Sequence, residues 1–168
     1  MKKIIVSIIA LLAGFSACGQ EIVSNHSLSI LTTAGFEYSY EQRLGGRFSL
    51  IGRLGIESWS TTFEKTPASL DFNTTMNPTI AIEPRFYTSI NRRAALGRNT
   101  SYNSSDFVAM PIQAIFGDYY VALAPQYGIR RTWGKHWFCE GSFGVEILSD
   151  FESLCASPSA RFRLGFKF

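Results

Sequence analysis

The 168-residue chain ends in a segment whose side chains alternate without interruption between apolar and polar, Ala160-Arg161-Phe162-Arg163-Leu164-Gly165-Phe166-Lys167-Phe168. The even-numbered residues share an apolar face, and the odd-numbered residues share a face that carries three cations. Strict alternation is typical of a β-strand, in which successive side chains point to opposite faces. The sequence therefore predicts a final strand with one apolar and one cationic face, and this strand ends on an aromatic residue.

The first 19 residues have the composition of a secretory signal peptide. Lys2 and Lys3 supply positive charge, residues 4–15 form an apolar stretch, and Ala17-Cys18-Gly19 supplies small side chains before a cleavage site. The apolar stretch is shorter than the roughly 20 residues that a membrane-spanning helix needs. We therefore expect export of the protein, with cleavage after Gly19 and a single mature domain over residues 20–168.

The same region allows a second interpretation. Phe15-Ser16-Ala17-Cys18 is similar to a bacterial lipobox, in which the cysteine becomes a lipidated N-terminus, although Phe15 stands where leucine is usual. Both interpretations export the protein. The choice between cleavage after Gly19 and lipidation of Cys18 stays open at this point.

Charge and cysteine content limit the classes of function. The formal net charge is +3, and removal of Lys2 and Lys3 lowers it to +1, which leaves no basic excess for binding nucleic acid. Two cysteines remain in the mature region, and an oxidising compartment would permit a disulfide between them. We expect Cys139 within a strand and Cys155 in a loop, so the sequence favours a free pair.

The rest of the chain repeats the alternation of the final segment. Aromatic residues make up 14% of the chain, which has 14 glycines and hardly any helical periodicity, and this favours an all-β fold. Seven segments read as strands: residues 34–44, 48–59, 79–90, 108–116, 121–130, 136–147 and 160–168. Polar or proline-containing stretches between them read as loops: residues 64–78, 91–105 and 149–158.

One face of these strands collects charges in equal numbers. Six acids stand with six bases: Glu37, Glu41, Glu57, Glu83, Glu140, Glu146, Arg53, Arg85, Arg130, Arg161, Arg163 and Lys167. A soluble antiparallel barrel would turn this face to water, whereas a membrane barrel would enclose it and present the apolar face to lipid. The exported N-terminus, the terminal Phe168 and aromatic residues near strand ends (Trp59, Tyr119, Tyr120, Trp133, Trp137) favour the membrane barrel.

An enclosed charged face predicts a plugged interior. The interior of an eight-stranded barrel is just wide enough for side chains to fill it, and buried charges need partners there. Equal numbers of acids and bases fit cross-linked pairs better than an ion pathway, which more often carries an excess of one sign. We expect one network to include Glu83, Arg85, Arg130 and Glu140.

Four segments carry a resemblance to a known group of proteins: Tyr40-Glu41-Gln42-Arg43-Leu44-Gly45, Glu83-Pro84-Arg85-Phe86-Tyr87, the run from Tyr127 to His136, and Arg163-Leu164-Gly165-Phe166-Lys167-Phe168. With them the chain resembles small Gram-negative outer-membrane β-barrel proteins, broadly OmpA/OmpX-like and of porin type. The resemblance implies residence in the bacterial outer membrane after export through the periplasm. It implies outer-membrane lipid and the barrel assembly machinery as partners, the latter reading Phe168 and Phe166. It assigns no activity.

Bacterial single-chain barrels have an even number of strands, because both chain ends lie on the periplasmic side. An eighth strand must therefore precede the first of the seven, and residues 22–31 are the candidate, with Thr32-Thr33-Ala34-Gly35 as the turn. The predicted fold is a single all-β, up-and-down antiparallel transmembrane β-barrel of eight strands.

Catalytic chemistry has little support in the sequence. A nucleophile needs a base beside it, and His26 and His136 are the only histidines; Ser142 lies close to His136 in the sequence. No phosphate loop, Gly-x-Ser-x-Gly motif or metal-ligand cluster is present, so no cofactor is expected.

The favoured function is that of a non-enzymatic, monomeric envelope protein whose loops 64–78 and 149–158 face outward toward an unidentified partner. A narrow channel and a secreted lipocalin-like carrier remain as alternatives.

Overall fold

A computed structural model describes residues 22–32, 34–59, 75–117, 120–149 and 154–168. Its strands are β1 (Asn25–Leu31), β2 (Gly35–Gly45), β3 (Phe48–Trp59), β4 (Thr75–Tyr87), β5 (Asp106–Ala109), β6 (Ile112–Ile115), β7 (Tyr120–Leu123), β8 (Gln126–Trp133), β9 (Trp137–Ser149) and β10 (Leu154–Lys167). A short helix, α1 (Ile90–Ala95), and a 3-10 turn (Ser101–Asn103) lie between β4 and β5. No helix in these ranges is long and apolar enough to cross a membrane.

The strands close into an eight-stranded barrel. β5 and β6 are the two halves of one barrel strand, and β7 and β8 are the two halves of the next. β10 pairs with β1 in antiparallel register, from Ser27 opposite Lys167 to Leu31 opposite Arg163, so the sheet has no free edge. The predicted all-β, eight-stranded, up-and-down barrel is confirmed. The predicted eighth strand is β1, which pairs with β2 on its other side.

Prolines interrupt the two divided strands without changing their register. Arg85 stands opposite Ala109 and Ile82 opposite Ile112, which places β5 and β6 on one continuous line along β4. Pro111 and Pro125 have no N–H to donate to the ladder, but the Pro111 carbonyl oxygen still accepts a hydrogen bond from Ala124 N at 3.0 Å. The barrel wall is therefore continuous but has fewer hydrogen bonds along this row.

Burial alternates along the strands, with the polar face inside. In β1 and in the first part of β2, every second residue is buried, and the buried set contains serines and glutamates. Outward side chains are apolar: Phe36 is 67% exposed and Phe143 63%, whereas Glu140 is 0% exposed. This is the reverse of a soluble barrel, which encloses its apolar side chains.

The two ends of the barrel differ. The terminal end carries Ile22, Phe168, the tight turns after β2 and β8, and the connection 88–105 with α1. The turn after β2 uses Gly46 at φ 52°, a left-handed conformation that glycine adopts without steric cost. The opposite end carries the turn after β1 and the connections β3–β4, β6–β7 and β9–β10.

Three predicted boundaries were wrong. The predicted loop 64–78 ends earlier, because β4 begins at Thr75, where Trp59 of β3 still offers a pairing partner. The predicted loop 149–158 likewise ends earlier, because β10 begins at Leu154 opposite Ser149. The predicted strand 79–90 stops at Tyr87, and Ile90 begins α1 with its side chain buried rather than on the outward face.

Cys155 therefore lies in a strand and not in a loop. It stands opposite Leu148, whereas Cys139 stands opposite Leu164. Cys139 and Leu148 are nine residue steps apart on β9, which corresponds to roughly 30 Å at about 3.3 Å per residue. Both cysteines are free.

Several predictions fall outside the described residues. They are the signal peptide 1–19, the lipidation residue Cys18, the new terminus Gln20, the turn residue Thr33, residues 64–74 of the first predicted loop, residues 150–153 of the last one, and the side chains of Trp59 and Tyr119.

Candidate functional site

The charged residues that the sequence places on one strand face lie inside the barrel. All twelve are buried: Glu37, Glu41, Arg53, Glu57, Glu83, Arg85, Arg130, Glu140, Glu146, Arg161, Arg163 and Lys167. Within the described part of the chain, every buried charged residue belongs to this set. The strand alternation puts them there, since each sits one residue away from an outward-facing neighbour.

Glu140 on β9 connects the ion pairs of the interior. Its Oε2 accepts hydrogen bonds from Arg85 Nη1 and Arg130 Nε, each at 2.7 Å. Its Oε1 accepts from Arg85 Nη2 at 2.9 Å and from Arg163 Nη1 at 3.2 Å, and Arg53 Nη2 lies 3.7 Å away. One carboxylate thus joins arginines from β3, β4, β8 and β10. Charge-assisted bonds of this kind are about twice as strong as neutral ones.

A chain of bonds crosses the full width of the lumen. Arg130 Nη1 donates to Glu41 Oε2 at 2.7 Å, and the Tyr87 hydroxyl donates to Glu41 Oε1 at 2.6 Å. Glu41 is on β2 and Arg130 on β8, which lie on opposite sides of the closed sheet. The pair therefore obstructs the lumen rather than lining its wall.

The remaining pairs extend the same network toward the opposite end. Arg53 donates to Glu37 Oε1 at 2.5 Å and lies 2.9 Å from Glu83 Oε2, and Arg85 Nε donates to Glu83 Oε1 at 2.7 Å. Arg163 Nε lies 3.2 Å from Glu37 Oε1. We define the central network as four acids and four bases: Glu37, Glu41, Glu83, Glu140, Arg53, Arg85, Arg130 and Arg163. It is neutral, and it contains the four residues for which the sequence predicts one network.

Three other interior charges form a separate group nearer the opposite end. Arg161 Nη2 donates to Glu146 Oε1 at 2.6 Å, and Arg161 Nη1 donates to Gln113 Oε1 at 2.8 Å. Gln113 Nε2 in turn donates to Glu57 Oε2 at 3.0 Å. The sequence did not single out Gln113, although it has the strand parity of an inward-facing residue.

Lys167 is buried but is not part of the central network. Its Nζ donates to the Tyr102 carbonyl oxygen at 2.6 Å and lies 5.0 Å from the centre of the Phe138 ring. No ion pair among the described residues includes Lys167. Its neighbours are instead a backbone carbonyl and aromatic faces, both of which attract a cation.

Two inward aromatic residues fill space above glycines of neighbouring strands. Phe107 stands opposite Gly128, and Phe138 stands opposite Gly165, so each ring lies where the glycine has no side chain. The Arg85 guanidinium is 3.6 Å from the centre of the Phe107 ring. Strand parity alone could have identified both rings as inward, because Phe138 has the parity of Glu140.

The connection 88–105 covers the interior at the terminal end. Ile22, Tyr87, Ile90, Phe107 and Ala109 form one buried apolar cluster there. The Asn103 side chain accepts from Val23 N and donates to the Val23 carbonyl oxygen, each at 2.9 Å. No sequence pattern predicts this cover, since a six-residue helix is too short for a clear period and the Asn103 contact joins distant segments.

Asn103→Gly should loosen residues 22–24, which precede β1, without unfolding the barrel. Asn103 has φ 62°, which glycine adopts freely, so the substitution removes only the two hydrogen bonds to Val23. Hydrogen exchange at Val23 should increase by about fivefold or more, as expected for a loss of about 1 kcal/mol per bond. Exchange in β9 should not change; a matching increase there would show that Asn103 supports the whole barrel.

The residues considered for catalysis are not assembled into a site. His26 Nδ1 is 2.7 Å from the Tyr38 hydroxyl, and His136 Nδ1 is 2.9 Å from the Lys167 carbonyl oxygen. Ser142 is buried inside the barrel, and its hydroxyl is not hydrogen-bonded to either histidine. Among the described residues, no group of three or more His, Cys, Asp or Glu is arranged to hold a metal ion.

The terminal end also carries cations that are exposed or half-buried. They lie in or beside the turns and in the connection 88–105: Arg43, Arg47, Arg92, Arg93, Arg98 and Lys135. Partial burial, and next the positive charge of Arg131, lower the pKa of the Arg93 guanidinium from its ordinary value. The interior is thus neutral at its centre, while the rim of this end is positively charged.

The arrangement can fill and brace a barrel, because its ion pairs connect strands on opposite sides of the closed sheet. Comparisons of the chain with protein-family models, with curated proteins and with solved structures each found no match.

Proposed function

We propose that this protein is a non-enzymatic outer-membrane β-barrel whose plugged interior makes it a structural or interaction protein of the bacterial envelope. The observation that carries the proposal is the inverted distribution of side chains around a closed barrel. Charged residues such as Glu140 and Arg85 are almost fully buried, and large apolar residues such as Phe36 and Leu54 are exposed. Hydrocarbon is the solvent that suits such an outer surface.

The outer surface is also continuous. Apolar side chains are exposed on strands from β1 to β10, including Leu28, Ile56, Ile82, Phe143 and Phe162. Monomeric soluble proteins rarely expose apolar patches larger than a few hundred Å². A barrel that is apolar all round would aggregate in water, and insertion in a bilayer removes this surface from water.

Aromatic residues concentrate near the terminal end, where a membrane interface would lie. Trp133 and Trp137 pair across β8 and β9, and the ring centres of Trp137 and Phe166 are 5.5 Å apart. Phe168 and His26 stack with ring centres 5.9 Å apart. Aromatic girdles of this kind border the apolar band of outer-membrane barrels.

The contents of the lumen support a structural role over the two alternatives. A lipocalin-like carrier needs an apolar interior for its ligand, but the described interior is charged. A narrow channel needs a path along the axis, which the Glu41–Arg130 bridge and the cover formed by connection 88–105 obstruct. Contacts with partners would then fall to the connections at the opposite end.

Cell fractionation tests the proposed location. In a Gram-negative host, the full chain should enter the outer-membrane fraction, and its gel mobility should change on boiling because a closed barrel resists detergent at room temperature. A periplasmic soluble protein of unchanged mobility would overturn the proposal. Conductance well above background in planar bilayers would leave the location intact and replace the plugged interior with a channel.

A further inference from the structure

The outer face carries a groove between two aromatic pairs. One register row runs across five strands, in the order Phe48, Phe86, Val108, Tyr127 and Phe143. The ring centres are 4.7 Å apart in the Phe48–Phe86 pair and 5.7 Å apart in the Tyr127–Phe143 pair. Val108 is the one short side chain of the row, so the two pairs form walls with a gap between them.

The next row continues the gap. It places Pro84, Met110, Pro125 and Val145 on neighbouring strands, and the first three of these residues line the groove. The resulting groove has a volume of about 610 Å³ and is lined almost entirely by apolar atoms. This volume is within the range of about 300–1,000 Å³ that is typical of ligand sites.

A positive charge lies at the terminal end of the groove. Arg47 is on the tight turn between β2 and β3, and its guanidinium carbon is 4.6 Å from the centre of the Phe86 ring. No ion pair among the described residues includes Arg47. The groove therefore combines an apolar channel with a cation above one wall, at the end of the barrel where the aromatic girdle lies.

We propose that this groove binds one phospholipid molecule, with an acyl chain between the aromatic walls and the phosphate on Arg47. The proposal rests on the proposed membrane location. Strands lie about 4.8 Å apart, so the backbones that carry Phe86 and Tyr127 are roughly 10 Å apart across β5. Part of that width is taken by the rings, and the remainder admits a hydrocarbon chain but not a helix of about 10 Å diameter.

The headgroup contact follows from the chemistry of arginine. A guanidinium donates paired hydrogen bonds to phosphate oxygens, and the Arg47 guanidinium lies over the Phe86 ring at one wall of the groove. An anionic lipid such as phosphatidylglycerol should therefore occupy the groove in preference to a neutral lipid. The bound chain would be distinguished from ordinary surrounding lipid by its fixed position.

Photo-cross-linking with a defined probe tests the site. The full-length protein is inserted into phosphatidylethanolamine vesicles that contain phosphatidylglycerol with a diazirine in one acyl chain, and cross-linked peptides are located by mass spectrometry. We expect cross-links to concentrate on the residues around Val108, Met110 and Tyr127. An even distribution around the barrel would overturn the proposal.

Two pairs of matched variants test whether cross-linking depends on the groove and on Arg47. Val108→Trp fills the gap and should lower cross-linking at the groove by about tenfold, while Ile112→Trp, on the same face of the same barrel strand but outside the groove, should not. Arg47→Gln should lower cross-linking at the groove about fivefold at low salt, and Arg98→Gln should leave it unchanged. Equal effects of the two variants within either pair would contradict the proposed lipid site.

A folding check distinguishes failure of the lipid site from failure of the membrane location. Each variant is first checked for heat-modifiable mobility, and Val108→Phe replaces Val108→Trp if the larger side chain prevents folding. Absence of cross-links anywhere on a correctly folded wild-type barrel would defeat the membrane location itself. Even labelling with normal insertion would defeat only the lipid site.

Discussion

Glu140→Gln is expected to lower the free energy of unfolding of the barrel by about 3–5 kcal/mol, the usual cost of removing one partner from a buried ion pair. Glu140 accepts hydrogen bonds from Arg85, Arg130 and Arg163, and its removal leaves the central network with one uncompensated positive charge. The glutamine amide keeps the volume but adds a donor facing three donors. Urea unfolding in detergent micelles measures the change in the free energy of unfolding. The fraction of folded barrel at each urea concentration is determined from its heat-modifiable gel mobility.

Glu146→Gln is the matched control. Glu146 is also a glutamate on β9 that faces the interior, but its one ion pair among the described residues is with Arg161. Its substitution should cost about 1.5 kcal/mol, because one bond to a charged group is removed rather than four. Equal effects of the two substitutions would mean that the central network contributes no more than a peripheral pair.

A double substitution separates charge balance from packing. In an Arg163→Gln background, the interior already lacks one positive charge, so Glu140→Gln restores neutrality and should cost less than it does alone. A coupling energy of about 1–3 kcal/mol is expected for residues in direct contact within one network. Strictly additive effects would show that the Arg163–Glu140 contact at 3.2 Å carries no energy of its own.

The fold could be predicted from alternation because the strand period is two. Once Phe162 and Leu164 are known to share a face, Arg161 and Arg163 must share the other. Alternation does not choose the enclosed face; the terminal Phe168 and the exported N-terminus favour enclosure of the charged face, and all twelve charged residues are buried. Strand ends were less predictable, because Pro78 and Pro158 suggested loops where neighbouring strands still offered partners.

The pairing inside the barrel could not be predicted in full. Which acid meets which base depends on the stagger of strands that are distant in the sequence, and the Glu41–Arg130 bridge joins opposite walls. Lys167 looked like a partner for an acid, but its amine binds the Tyr102 carbonyl of the cover instead. That cover depends on a short helix and on Asn103, and neither has a pattern that the sequence alone reveals.

Ile82→Arg is the substitution that separates a membrane barrel from a soluble one. Ile82 is 55% exposed and lies near the middle of β4, with Gly52 and Ile112 beside it on the outer face. In a bilayer, arginine at this depth should lower the free energy of unfolding by about 2–4 kcal/mol. In a soluble barrel the same substitution replaces an exposed apolar side chain with a charged one and should change stability by no more than about 0.5 kcal/mol.

Leu44→Arg provides the control for this test. Leu44 is also exposed, at 58%, but it lies beside the tight turn at the terminal end, where arginine should cost only about 0–1 kcal/mol. The expected result in lipid vesicles is therefore a depth-dependent difference between the two variants, measured by urea unfolding. The difference should vanish in aqueous buffer if the protein folds there at all. Equal stabilities in vesicles would contradict the proposal that the apolar band of this barrel faces lipid.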